Sequence, residues 1–295
     1  MRPLNQNHTP DYLIIGHLTR DLVPGGAILG GTPGYAGLTA HRLGKRTAIV
    51  TSIGPDAPPM DILDGIEIVS VPAEATTTFE NIYISGTRYQ KWLATAASLL
   101  PEHVPPAWRQ APIVHLSPMA QELSPALCRQ FPHSLVCVTI QGWLRGRDEE
   151  NNVIFAPHPA LDASLGCIDI LVMSLADVGG DRAAADHLLT SVKIGVETLG
   201  PGGCRVYHNG EILHVPVKPE EEVDPTGAGD IFAAAFFVRY QETGNLLQAA
   251  RFANACGSLS VRERGIGAVP TLREVQEHLA ELYHPEAVPA DCGST

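Results

Sequence analysis

Short apolar runs and longer helical patterns take turns along this chain. Runs of strand length lie at 12–16, 47–53, 66–71, 113–116, 135–140, 168–173 and 193–198. Apolar positions at helical spacing lie at 33–43, 124–130, 181–189, 227–240, 246–261 and 272–283, and Gly44 closes the first of these. The alternation predicts an α/β chain: a mainly parallel sheet with helices on both faces. The stretch 231–238 is apolar almost all round, which predicts a buried helix.

One segment breaks the rhythm. Residues 76–85 alternate with period 2, which puts Phe79, Asn81 and Tyr83 on one face. Such a face suits a polyol, with rings over C–H surfaces and the amide on hydroxyls; an ordinary strand face is the plainer reading. A polar turn at Gly86 follows, and 90–99 resumes in a more helical style. A strand placed here is able to leave the main sheet. Only 24–29 separates the first strand from Gly30, so little further structure is expected there. There is no internal repeat and no low-complexity tract.

A chain of 295 residues, 44% apolar, is enough for one large core. Its net charge of −12 argues against nucleic acid and against an anionic membrane surface, because both need a basic face. Six cysteines, at 128, 137, 167, 204, 256 and 292, contain no Cys-x-x-Cys pair. They read as reduced thiols in a cytoplasmic protein. No signal-type segment opens the chain, and no run approaches the roughly 20 apolar residues that span a bilayer. Residues 284–295, rich in Pro and small residues, are expected to form a loose tail.

The densest chemistry lies at Val223-Asp224-Pro225-Thr226-Gly227-Ala228-Gly229-Asp230, at the mouth of the apolar helix. Free N–H groups at a helix start bind anions, and glycines admit a phosphate close to the backbone. Asp230 falls in the first turn, where the macrodipole favours its ionised form. A carboxylate beside a phosphate cradle is placed to take the proton of a substrate hydroxyl, which points to phosphoryl transfer to an alcohol. A Pro/Gly turn with an acidic cap is the plainer alternative.

That segment closely matches the signature D-T-x-G-A-G-D of the ribokinase-like (PfkB) carbohydrate kinases, and the chain resembles this family from Asp11 to about Thr271. The resemblance implies a three-layer α/β/α ribokinase-like (Rossmann-like) sheet with a small β-lid. It implies a single kinase domain over 11–283, with lid elements near 24–31 and 76–90. Asp230 would be the catalytic base, and Gly227, Ala228 and Gly229 the anion hole. Gly30-Gly31 matches a family loop that lies against the sugar and opens a helix ending in Leu-Gly, here Leu43-Gly44. Asp21 falls where the family commonly places a substrate-binding aspartate; a solvated turn residue is the alternative. Arg88 would reach the substrate or the closed lid, or else be a surface charge. Tyr35 replaces an asparagine of the family's G-G-x-x-x-N pattern, a departure that counts against ribose.

The donor side follows in the same way. Ser174-x-x-Asp177 stands where the family shows Asn-x-x-Glu, so Asp177 would hold Mg²⁺ through water, with a helix cap as the competing reading. Thr198, Gly200 and Gly203 resemble the T-x-G-x-x-G turn beside ATP. Asn254 and Gly257, with 265–268, match the family's adenine border; a backbone carbonyl is the other partner an Asn there would find. Asp224 and Thr226 match a loop that binds K⁺ in some relatives. The resulting expectation is an ATP-dependent kinase for a sugar or cyclic polyol, with hexose or inositol favoured, able to form a homodimer through the lid. The alternatives are a nucleoside kinase, with Trp92 or Trp143 lining a base slot, and a catalytically silent carbohydrate-binding protein.

Overall fold

A computed structural model describes residues 8–84 and 87–283 of the chain. The side chains of Tyr83 and Arg88, and the tail at 284–295, lie outside the described residues. In chain order the strands are β1 (Tyr12–Ile15), β2 (Thr19–Val23), β3 (Gly26–Gly30), β4 (Thr47–Ile53), β5 (Glu67–Pro72), β6 (Thr78–Ile84), β7 (Thr87–Ala94) and β8 (Ile113–Leu116). They continue with β9 (Leu135–Thr139), β10 (Arg145–Arg147), β11 (Val153–Phe155), β12 (Ile170–Ser174), β13 (Ile194–Thr198), β14 (Cys204–His208) and β15 (Glu211–Val215). The α-helices are α1 (Thr32–Arg42), α2 (Arg182–Thr190), α3 (Ala228–Thr243), α4 (Leu246–Ser260) and α5 (Leu272–Tyr283).

The main sheet has nine strands in the order β15-β14-β13-β12-β9-β8-β1-β4-β5. It is parallel from β13 to β5, while β14 and β15 run antiparallel at one edge. Strand period explains how it is covered. Tyr12 and Ile14 enter the core beneath α1, α3 and α4, whereas Leu13 and Ile15 enter the opposite core; all four are fully buried. A sheet buried on both faces between helical layers is a three-layer α/β/α arrangement.

On the second face α2 is joined mostly by short 3₁₀ turns, and the helix expected at 124–130 is one of them, Pro125–Gln130. Ser124 caps it through Ala126 N–H, but the run stops after six residues, too few for an α-helix to sustain itself. This turn packs beside another, Asp162–Cys167, and a disulfide joins Cys128 to Cys167 with their Cα atoms 6.0 Å apart. The expectation of reduced thiols throughout therefore fails for this pair, because a separation of 39 residues hides a contact made by tertiary packing. Cys137, Cys204 and Cys256 are free and buried.

A second sheet, β3-β2-β6-β7, stands over the ends of the first. It corrects two expectations. Residues 24–29 do not merely connect: Pro24-Gly25, with Gly25 at φ 89°, turns β2 back into β3 as a hairpin. Residues 90–94 are not helical; they belong to β7, paired antiparallel with β6. Cross-strand packing decided this, with Phe79 opposite Trp92. The short β10–β11 hairpin leans on the same sheet through Trp92 N–H to the Asn151 carbonyl (2.8 Å).

Candidate active site

Below the second sheet, at the carboxyl ends of β9, β12 and β13, lies a cavity of about 570 Å³. Ligands of open parallel sheets bind at this end, and the volume suits small molecules. One end is lined by Asp21, Phe79, Gln90 and Arg145, the other by Thr198, Gly200, Gly203 and Gly257. Gly227, Ala228, Gly229 and Asp230 line it as well.

The mouth of α3 is shaped by burial and by glycine. Residues 231–238 are buried, and beyond the helix start only Phe232 of this run lines the cavity. Gly227 caps the helix at φ 81°, where a side chain is strained, and a Cβ there would stand 2.3 Å from the Tyr35 ring. Gly229 differs: no atom lies within 4 Å of where its Cβ would be, so the approach to its backbone is open. Half-buried Asp230 receives the Thr32 hydroxyl on Oδ1 at 2.8 Å.

Tyr35 lines the cavity, fills the space beside Gly227 and is buried; its buried hydroxyl meets no hydrogen-bond partner among the described residues. Burial, and then the nearby Asp21, Asp230 and Asp224 carboxylates, push its ionisation well above the ordinary phenol value. It therefore stays a neutral donor.

The sequence-derived acceptor residues divide. Asp21 lines the cavity, and Thr19 donates to its Oδ1 at 2.8 Å. Gly30 lies behind it, because a Cβ there would strike the Asp21 carboxylate at 2.3 Å; Gly31 (φ 85°) lines the cavity itself. Phe79 lines the cavity, with the Arg145 guanidinium 5.6 Å over its ring. Asn81 accepts from Gln90 Nε2 at 3.0 Å and is not in the cavity wall. Neither Trp92 nor Trp143 lines the cavity, so neither provides the base slot expected of them. Trp92 donates to Thr95 and Ala94, and Trp143 to the Leu123 carbonyl at 2.7 Å.

On the donor side, Asp177 Oδ2 accepts from Ser174 N–H (2.7 Å) and its hydroxyl (2.9 Å), which is a capping arrangement, and Oδ1 accepts from Gln141. The residue still faces the cavity. Gly203 is required by packing, since a Cβ would meet the Val215 carbonyl oxygen at 2.2 Å, whereas Gly200 (φ 55°) faces open space and a Cβ at Gly257 would make only ordinary contact with the Ala228 carbonyl oxygen (3.6 Å) and Phe232 (3.7 Å). The Asn254 amide donates to the Val215 carbonyl at 2.9 Å, the backbone partner that competed with adenine. Asp224 accepts from Thr226 N–H (3.0 Å) and Gly265 N–H (3.3 Å), tying two loops beside α3. Among the described residues no three His, Cys, Asp or Glu side chains gather as a metal site. A magnesium ion carried by a phosphorylated donor would need fewer: Asp177 would offer it a carboxylate, and Mg²⁺ ordinarily keeps several waters.

A model of the pfkB family carbohydrate kinases matches residues 169–272, which hold the donor-side turn, the whole mouth of α3 and Asn254. Over 267 residues the chain is 26% identical to a nucleoside kinase of Methanothermobacter thermautotrophicus, covering 80% of this chain and 79% of that protein. Residues 169–272 are a pfkB-family carbohydrate kinase domain. The chain is accordingly a kinase, a phosphotransferase with an alcohol group as acceptor. Solved structures agree on the ribokinase-like fold. A pyrophosphate-dependent kinase of the ribokinase family, complexed with a pyrophosphate analogue and myo-inositol, superposes with a TM-score of 0.75 at 22% identity, covering 90% of this chain and 99% of that one. Arabidopsis thaliana ribokinase, complexed with ribose and ATP, gives 0.70 at 23% identity, covering 92% and 99%.

Sequence reasoning missed Thr32 and Arg145. Thr32 directly follows Gly30-Gly31, so proximity to the loop was the available signal. Nothing local marks Arg145, whose place depends on the β10–β11 hairpin.

Proposed function

We propose that this pfkB-family kinase transfers the γ-phosphoryl group of ATP to a hydroxyl of a small sugar or cyclic polyol, with a hexose or inositol favoured. The observation that carries this reading is the mouth of α3, where the open backbone of Gly229 and the Asp230 carboxylate face the same cavity as Asp21 and Phe79. Asp230 takes the proton of the acceptor hydroxyl as its oxygen bonds to the γ-phosphorus. The bond to the β-phosphate oxygen breaks, and ADP leaves. A carboxylate is a far weaker base than an alkoxide, so the proton moves late. The N–H groups of 227–229 bind the charge on the transferred group.

Residues 198–203 and 254–257 form the nucleotide side, and Asp177 the outer-shell contact to Mg²⁺, which would neutralise phosphate charge. Lys218 is outnumbered at that end by Asp177, Glu220 and Glu222. This balance supports a magnesium-bound nucleotide over bare pyrophosphate, whose charge calls for clustered cations. The loop held by Asp224 and Thr226 is the candidate for K⁺. Asp21 and the face of Phe79 hold the acceptor, with Asn81 supporting Gln90. Exposed Val23, Ile28, Tyr89 and Leu93 on the lid support a homodimer through that sheet. No described helix is long and apolar enough to cross a membrane. A cytoplasmic location is a separate part of this proposal.

The second reading is a nucleoside kinase, favoured by the likeness to the archaeal enzyme across most of the chain. ADP release with ribose, fructose, glucose, myo-inositol, adenosine and cytidine separates the two. Preference for fructose, glucose or myo-inositol supports the first; preference for ribose or a nucleoside overturns the substrate assignment.

A further inference from the structure

Thr32 is the first residue of α1 and is only 2% exposed. Its hydroxyl lies 2.8 Å from Asp230 Oδ1 across 198 residues of chain. The same hydroxyl lies 3.3 Å from Met119 Sδ, a weak acceptor, so its single hydrogen goes to the carboxylate. The Thr32 backbone N–H is also directed at Met119 Sδ, at 3.3 Å.

Both neighbours of this contact are fixed. Gly31, at φ 85°, sets the start of α1 so close to the His17 carbonyl that a Cβ would stand 2.5 Å from it. Met119 is held by Glu122, a buried carboxylate that accepts from His17 N–H (2.9 Å), Met119 N–H (3.0 Å) and Ala120 N–H (2.7 Å). A β-branched side chain is stiff at χ1, so the Thr32 hydroxyl is a fixed point rather than a mobile donor.

We propose that Thr32 is a positioning residue for Asp230: its hydroxyl holds Oδ1 and so helps to set the direction in which the base meets the acceptor. Half-buried Asp230 sits on the first turn of α3. A hydrogen bond to it from a different helix restricts the carboxylate before substrate arrives, which lowers the entropy cost of reaching a reactive geometry. It also links the Gly31 loop, on the acceptor side, to the helix mouth that binds the phosphoryl group. This inference rests on the reading of Asp230 as the base.

The test is a double-mutant cycle of T32V and D230N, with T32S as the conservative control, using MgATP and the best acceptor of the panel above. T32V is expected to lower kcat by about tenfold, since small misplacements of reacting groups are costly, and to leave the KM for ATP within about twofold. T32S should recover most of kcat. In the D230N background, T32V should cost less than about twofold, because residues that act through one another are non-additive. If D230N keeps the parental kcat, the base assignment falls and this proposal falls with it. If D230N is inactive while T32V keeps the parental kcat, the positioning role alone falls. An equal loss from T32V in both backgrounds also overturns it. Melting temperatures establish that each variant is folded, and T32A replaces T32V if valine does not fit.

Discussion

The two ends of the cavity are built differently. The phosphoryl end is contiguous: 227–230 make one helix mouth, and their geometry follows from a left-handed glycine and a buried helix. The acceptor end is assembled. Asp21 comes from β2, Phe79 from β6, Gln90 from β7 and Arg145 from a separate hairpin. A contiguous site carries its chemistry in adjacent letters, whereas an assembled site carries it only in the pairing of strands. The first end is accordingly expected to govern rate, and the second to govern which acceptor enters.

The sharpest way to break this division is at Asp230. Asp230→Asn should lower kcat by about 10²–10⁴-fold, the usual worth of a general base, with the KM for ATP nearly unchanged. Steady-state kinetics on the folded variant decide it, and a parental kcat would end the assignment.

The two glycines beside it should part company. Gly227→Ala meets both the strain of a left-handed alanine, about 1–2 kcal/mol, and the Tyr35 ring at 2.3 Å. It should lower the melting temperature as well as activity. Gly229→Ala has open space and should keep the parental melting temperature while losing turnover, because its methyl stands where the phosphoryl group would approach. Equal stability losses in the two would sink this distinction.

At the assembled end the effects should be smaller and confined to the acceptor. Asp21→Ala should leave substrate hydroxyls unpaired, a loss of about 1–3 kcal/mol, seen as a higher acceptor KM. An unchanged KM would remove Asp21 from the site. Tyr35→Phe is the mildest change. If the buried hydroxyl donates to the bound acceptor, its loss costs about 0.5–1.5 kcal/mol of affinity. The unliganded protein should be no less stable, since the hydroxyl has no partner among the described residues. Titration with the best acceptor, alongside thermal melts, tests both parts.

The same contrast explains what could be read from the sequence. The parallel core strands and the α3 mouth were legible because each is a local pattern, and Asp230 stood four residues into one. Thr32 was not, because its meaning depends on a residue 198 positions away. The β2–β3 hairpin was compressed into 19–30 and hidden behind a two-residue Pro24-Gly25 turn. Trp92 looked like a ligand platform until cross-strand pairing with Phe79 put it in a small core of its own. The antiparallel edge, β14 and β15, was missed because it follows a helix-free turn where the βα rhythm ends.

Thr77 has a mechanical consequence. It is wholly buried at the base of the upper sheet. Its carbonyl receives Arg20 N–H (2.8 Å), and its hydroxyl receives Ala96 N–H (2.9 Å) and lies 2.7 Å from His17 Nδ1. The roots of all the excursions that make up that sheet therefore meet at one residue. Arg20 on β2 and Ala96 just past β7 are thereby anchored to one side chain and its own peptide, so the two halves of the upper sheet share a single foundation.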